Sequence, residues 1–153
     1  MPETPQVSSG AVDFDHDPQA PEAPDVGIAI SLATTAKIAT FSRHQPIVLH
    51  GSYKADMALI RLCREGLSAS ILVTLVRTDK PWGRTTRLVT PKTPVTVPPP
   101  PDSGDRPQLY YREGGWFTFD LAKFFAIPPE PGKYQVEVIL GPYHSQRLDF
   151  EVR

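Results

Sequence analysis

The stretch GKYQVEVILGPYHSQRLDFEVR, residues 132–153, decides the fold. Apolar and polar side chains alternate on both sides of a short GPYHS segment, which predicts an antiparallel β-hairpin. A shift of one residue would expose every apolar side chain, so the register of this hairpin is well specified. The side chains predicted to face the core are Tyr134, Val136, Val138, Leu140, Leu148, Phe150 and Val152.

Other strand patterns precede this hairpin and are separated by turn signals. The alternation from Val26 to Leu32 predicts a first strand, and the β-branched segment 67–77 predicts a central one. Residues 55–65 fit either a helix or a strand, and the pattern leaves both open. Asp120 is placed to cap one short helical turn over residues 120–125. Seven to eight short strands predict an all-β, antiparallel sandwich.

Two segments are predicted to lie outside this sandwich. Residues 1–25 hold five prolines and six acidic residues but no Lys or Arg, which predicts a disordered acidic tail. Residues 91–107 hold seven prolines, which predicts a long surface loop, because each proline removes a strand donor. The sandwich is therefore expected over residues 26–153. Of these, residues 37–153 carry all 16 basic residues against 11 acids, or 16 − 11 = +5.

The stretch DLAKFFAIPPEPGKYQVEV, residues 120–138, joins a capped turn, a Pro-Gly pair and a tyrosine that opens the penultimate strand. In these features the chain resembles the immunoglobulin-like and fibronectin-III-like superfamily, especially single modules of bacterial proteins. The resemblance implies an immunoglobulin-like β-sandwich without the antibody cysteine pair. It also implies a tyrosine corner, in which the Tyr134 hydroxyl bonds to backbone a few residues upstream. It implies no activity, because function lies in sites and not in the fold.

No residue spacing indicates catalysis or metal binding. None of the four histidines lies at a zinc-motif spacing from another histidine or from Cys63. No G-x-S-x-G motif is present, and HGSYKAD at 50–56 is interpreted as a strand end that enters a turn. We therefore expect no enzyme activity, no metal and no cofactor.

Composition also bears on location. Cys63 is the single cysteine, so no intrachain disulfide forms, which fits a reducing compartment. We predict that Cys63 is a small buried hydrophobe. No apolar run approaches the about 18 residues of a membrane helix, and the N-terminus lacks the features of a signal peptide. These observations predict a cytoplasmic protein with no membrane partner.

The loops of the predicted sandwich are the expected binding surface. The DKPWGR turn with its neighbouring arginines offers Trp82, Arg84 and Arg87, and the GPYHS loop offers Tyr143 and His144. Arginine pairs with acidic groups, and aromatic rings bury a large area at low entropic cost. The sequence thus predicts a non-catalytic protein-interaction or accessory module, with a protein partner of unknown identity.

Other functions stay open. Exposed aromatic rings suit a carbohydrate ligand. The basic segment 77–92 suits an acidic partner or single-stranded nucleic acid, although a solvated hairpin is favoured over nucleic acid. The acidic tail is a candidate to fold back and shield this segment. An open sheet edge is also able to pair two copies into a homodimer.

Overall fold

The computed structural model describes residues 12–32, 39–42, 44–89, 113–127 and 130–153. These residues form two β-sheets with two short α-helices, so the predicted all-β class is confirmed. The strands are β1 (Gly27–Leu32), β2 (Ala39–Phe41), β3 (Val48–Ala55), β4 (Ile71–Arg77), β5 (Gly83–Arg87), β6 (Glu113–Asp120), β7 (Gly132–Leu140), β8 (Tyr143–His144) and β9 (Leu148–Val152). The helices are α1 (Met57–Leu62) and α2 (Leu121–Phe124), and Ser68–Ser70 forms a 3-10 turn.

The two sheets form a sandwich. Sheet A has the order β1-β3-β6, and sheet B has the order β2-β9-β7-β4-β5, with β8 paired to β7. All strand pairs are antiparallel except β2 and β9, which run parallel from Ala39↔Phe150 to Phe41↔Val152. The predicted antiparallel sandwich is therefore confirmed, except for this one parallel pair among the described strands. The inner faces of both sheets share one hydrophobic core.

The C-terminal strands follow the predicted register. Tyr134, Val136, Val138 and Leu140 are at most 1% exposed, and Tyr134 pairs with Phe150 across β7 and β9. Two details differ: residues Tyr143–His144 form a short strand of their own, and Leu148 is only half-buried. The segment predicted to be central is confirmed, because β4 lies between β7 and β5.

Side-chain caps fix the two helices. The Asp56 carboxylate accepts a hydrogen bond from the Leu59 N–H at 2.9 Å, so the ambiguous segment 55–65 contains a helix. Asp120 caps α2 as predicted, since its Oδ1 accepts from the Ala122 N–H at 2.9 Å. The same oxygen accepts from the Ile47 N–H at 3.0 Å, which ties α2 to the start of β3.

Residues 12–25, here called the strap, depart from the expectation of a disordered tail. The strap lies along the outer face of sheet A, where backbone hydrogen bonds of 2.9 and 2.8 Å join Asp13 to Thr118. Its side chains also bond to β3 and β6, and such long-range contacts leave no trace in local composition. The strap packs on sheet A and not on the basic hairpin of sheet B, so the proposed shielding is wrong for these residues. Residues 1–11 and the proline-rich segment 91–107 lie outside the described residues.

The tyrosine-corner bond is not found among the described residues. Tyr134 is 1% exposed, and its hydroxyl has no hydrogen-bond partner in the described part of the chain. The upstream residues 128–129 are not described. The ring is nonetheless well packed, because Phe150 stacks on it with centroids 5.2 Å apart and the Arg77 guanidinium lies 5.4 Å from its centroid.

Candidate functional site

The five residues predicted to bind a partner do not form one continuous surface. Arg87 and His144 both lie on the outer face of sheet B, at the ends of one cross-strand row completed by Leu72 and Ile139. They are roughly 14 Å apart, because neighbouring strands are separated by about 4.8 Å. Tyr143 instead packs against the core, next to Gly27 of β1.

Trp82 and Arg84 lie on the inner-face side of the β4–β5 hairpin. The Trp82 ring meets the Tyr134 ring edge to face, with centroids 6.0 Å apart, so it is partly used as a packing residue. The exposed Arg84 side chain has its guanidinium 5.4 Å from the centroid of Trp82 and forms no salt bridge with a described residue. In this pair, the packed Trp82 ring supports Arg84, whose positive charge is exposed.

The basic segment 77–92 is not one cationic surface. The Arg77 side chain is 4% exposed and bonds to Asp79 at 3.0 Å and to Glu130 at 2.6 Å. The Arg77 hydrogen bonds lower the pKa of the Asp79 carboxyl to about 2. Arg87 pairs with Glu65, and Lys92 lies outside the described residues. The hairpin therefore presents Arg84, Arg87 and Lys80 to solvent, whereas Arg77 is part of the framework.

His144 belongs to a small charged cluster on the outer face of sheet B. Its Nδ1 lies 3.3 Å from one oxygen of Glu137, and the Arg147 Nε donates to the other at 3.2 Å. Partial burial disfavours ionisation of Glu137, but the bonds from His144 and Arg147 outweigh it and lower the pKa of this carboxyl. The negative charge of ionised Glu137 is thus balanced by side chains of the protein itself.

Strand β5 is the most exposed element of sheet B. All five residues, Gly83–Arg87, are exposed, including those whose side chains point to the inner side. The reason is geometric: the described part of sheet A has three strands, whereas sheet B extends through five, so β5 overhangs the core. Among the described residues, β4 is the one strand that pairs with β5.

The strap creates a second candidate site that the sequence did not indicate. Asp17 accepts from Thr118 Oγ1 at 2.9 Å and bonds to His50 Nδ1. Burial opposes ionisation of Asp17, but bonds from the Gln19 backbone, His50 and Thr118 lower its pKa. The one available signal was the polar alternation of His50 and Ser52 within a strand. HGSYKAD is the end of that strand, β3, followed by Asp56, so the interpretation of residues 50–56 as a strand end is confirmed, except that Asp56 caps helix α1 where a turn was expected.

This cluster does not have the geometry of a nucleophile and its base. The Ser52 hydroxyl donates to the Pro21 carbonyl and not to His50. His50 is 8% exposed and bonds to Asp17 through Nδ1. Catalysis by a serine needs that hydroxyl within hydrogen-bond reach of the base. The contacts shown instead fasten the strap to the sheet.

Beside this cluster is a pocket of about 500 Å³ between the strap and the ends of β3 and β6. Trp116 lies on its wall, and the His16 ring meets it edge to face at 4.6 Å. The charged side chains around the pocket are Asp17, Glu22, Lys54 and Glu113. An aromatic ring with carboxylates around it suits a polar organic ligand.

Within the described part of the chain, no group of three or more His, Cys, Asp or Glu side chains is arranged to hold a metal ion. No helix among these residues is long and apolar enough to cross a membrane. No protein-family model, curated protein or solved structure matches the chain.

Proposed function

We propose that the chain is a non-catalytic interaction module on an immunoglobulin-like sandwich, and that the β4–β5 hairpin is its binding surface. The exposure of all of β5 carries the proposal. A strand that overhangs the core contributes little to burial, so its residues are free to serve recognition. The bonding of Ser52 and His50 to the strap gives no support to an enzyme.

The hairpin has the residue types of a binding surface. Arg84 lies over the half-buried Trp82 ring, a contact that limits the motion of the arginine side chain. Arg87 forms an ion pair with Glu65, in which both side chains are about half exposed. Surface pairs of this kind contribute about 0–1 kcal/mol, so an acidic partner can replace Glu65 at little cost. The favoured partner is therefore a protein with acidic side chains.

The test is affinity capture from source cells with the full chain and four variants. Arg84→Gln, Arg87→Gln and the double variant remove charge from the hairpin, and Arg153→Gln removes an exposed charge after β9, next to the opposite edge of sheet B. We expect a stoichiometric partner that the double variant loses and Arg153→Gln keeps, at unchanged melting temperatures. Equal capture by all forms would exclude the hairpin. Trp82→Ala is avoided, since loss of its contact with Tyr134 would lower stability.

Carbohydrate binding is the second candidate, supported by the pocket beside Trp116. Sugars stack on aromatic rings and bond to carboxylates such as Glu22 and Glu113, which line this pocket. Titration of an oligosaccharide panel should then quench tryptophan fluorescence in the wild type and not in Trp116→Phe. Quenching that persists in this variant would place the sugar elsewhere.

The proposed compartment is the cytoplasm, which the buried single thiol of Cys63 fits. The proposed bacterial type rests on the resemblance alone. A homodimer through β5 is disfavoured, because two copies of the strand would bring four arginine side chains together.

A further inference from the structure

We propose that β5 binds its partner by strand addition, and that the added strand carries acidic residues three positions apart. This inference rests on the proposed function and specifies how the hairpin recognises its partner. It requires a free strand edge, suitable charges on both sides of that edge and no better occupant within the protein.

The free edge follows from the hydrogen bonds of the β4–β5 pair. The Arg77 N–H donates to the Trp82 carbonyl at 2.8 Å, and the Leu88 N–H donates to the Ile71 carbonyl at 2.9 Å. Antiparallel pairs alternate between bonded and non-bonded positions. Arg84 and Thr86 therefore direct their backbone groups towards β4, and Gly83, Thr85 and Arg87 direct theirs outward. These outward groups are the donors and acceptors that an added strand requires.

The other sheet edges are protected within the described residues. On β1, the Gln146 side-chain amide donates to the Ile30 carbonyl at 2.5 Å and accepts from its N–H at 3.4 Å. On β6, the backbone of Asp13 bonds to Thr118. Strand β2 is three residues long. Strand β5 has five residues, no such contact in the described part of the chain and no proline. It is therefore the edge most open to a partner strand.

The charges specify the added strand. Arg84 pairs with the core residue Leu75 and so points to the inner side, whereas Arg87 pairs with Leu72 and points to the outer side. Residues opposite them in a partner strand are three positions apart and project to opposite faces. Glu or Asp at both positions would meet both guanidinium groups. A pattern of the form Glu-x-x-Glu in an extended, β-forming segment is the predicted ligand.

A second copy of the chain is a poorer occupant. Pairing of β5 with another β5 would gather Arg84 and Arg87 of both copies along one seam with no acidic β5 side chain to balance them, and their mutual repulsion opposes the pairing. Self-association would thus work against the charges that favour an acidic strand.

The first experiment follows backbone amide exchange in the ¹⁵N-labelled full chain. The probe is the peptide Thr-Val-Glu-Val-Thr-Glu-Val-Thr with blocked ends, and its control has Gln in place of both Glu. In the free protein we expect fast exchange at Gly83, Thr85 and Arg87 and slow exchange at Arg84 and Thr86. The acidic peptide should slow the first three, and the Gln peptide should bind about tenfold more weakly.

The second experiment separates backbone pairing from charge. Thr85→Pro removes an outward N–H, and Thr85→Val keeps it; both remove the 2.9 Å hydroxyl contact with Thr74. Proline is tolerated at edge positions whose N–H faces solvent, and the melting temperature checks this for each variant. We expect Thr85→Pro to weaken binding of the peptide about tenfold relative to Thr85→Val.

Several outcomes would overturn strand addition. Protection of the three outward amides in the free monomer would mean that the protein's own chain already covers the edge. Protection that rises with concentration would mean a dimer. Equal binding by Thr85→Pro and Thr85→Val would mean side-chain contact alone. In that last case the hairpin is still the binding surface, whereas unchanged cellular capture by the double arginine variant would contradict the proposed function itself.

Discussion

Replacement of Tyr134 by Phe tests the one buried polar group that lacks a partner among the described residues. The ring is 1% exposed and stacks on Phe150, and both properties are retained by phenylalanine. The change removes a buried hydroxyl with no hydrogen bond, whose desolvation costs about 1–3 kcal/mol. We expect the variant to be about 1 kcal/mol more stable, because relaxation of the site recovers part of that cost.

The assay is urea unfolding followed by fluorescence, together with thermal unfolding. A gain of about 1 kcal/mol raises the melting temperature by roughly 2–4 °C in a chain of this size. Tyr53→Phe is the matched control, since its side chain is only partly buried and its change should be near zero. A tyrosine corner would give the opposite sign, a loss of about 1 kcal/mol from a broken hydrogen bond. Such a loss in Tyr134→Phe would refute the reasoning.

Three further predictions follow from the core, the Arg77 ion pairs and the buried thiol. Gly51→Ala should lower the free energy of unfolding by about 3 kcal/mol, because an added Cβ would lie 2.0 Å from the Phe117 ring; a loss below 1 kcal/mol in urea unfolding would contradict this packing. The pKa of Asp79 is lowered to about 2 from its usual 3.8, so its stabilisation is complete above pH 4 and disappears as the pH falls to 2. Arg77→Gln should flatten this part of the stability–pH curve, and an unchanged curve would mean that Arg77 does not lower the pKa of Asp79. Burial raises the pKa of the Cys63 thiol, so a thiol reagent at pH 8 should label it only upon unfolding, and rapid labelling of the native chain would show otherwise.

Local pattern predicted those parts of the fold that local residues determine. The alternation in β7 and β9 specified which side chains are buried, because a strand has period two wherever it pairs. The cap of α2 was predictable because Asp120 and the donor of its hydrogen bond, the Ala122 N–H, are two residues apart. Asp56 gave the same signal for α1, and its position before a six-residue helix would have settled the assignment of residues 55–65.

Contacts between distant residues explain the failures. The strap has the composition of a disordered segment, yet Asp17 bonds to Thr118, 101 residues away, and to His50. Arg77 was grouped with the exposed basic residues, but Glu130 lies 53 residues further along the chain and holds it in the framework. Of the predicted site, Arg84 and Arg87 are exposed, whereas Trp82 is half-buried and partly a packing residue because its ring contacts Tyr134.

The two sheets differ in whether their outward polar groups already bond to another part of the chain, and this difference favours sheet B as the proposed binding surface. On sheet A, the outward side chains of His50, Ser52 and Thr118 all bond to the strap, so a partner would have to displace those contacts. On sheet B, the outward backbone of β5 has no such internal competitor in the described part of the chain. The arginines on either side of that edge discourage pairing between copies and attract acidic strands. In the proposed interaction, the same charges would oppose self-association of the exposed edge and favour an acidic partner strand.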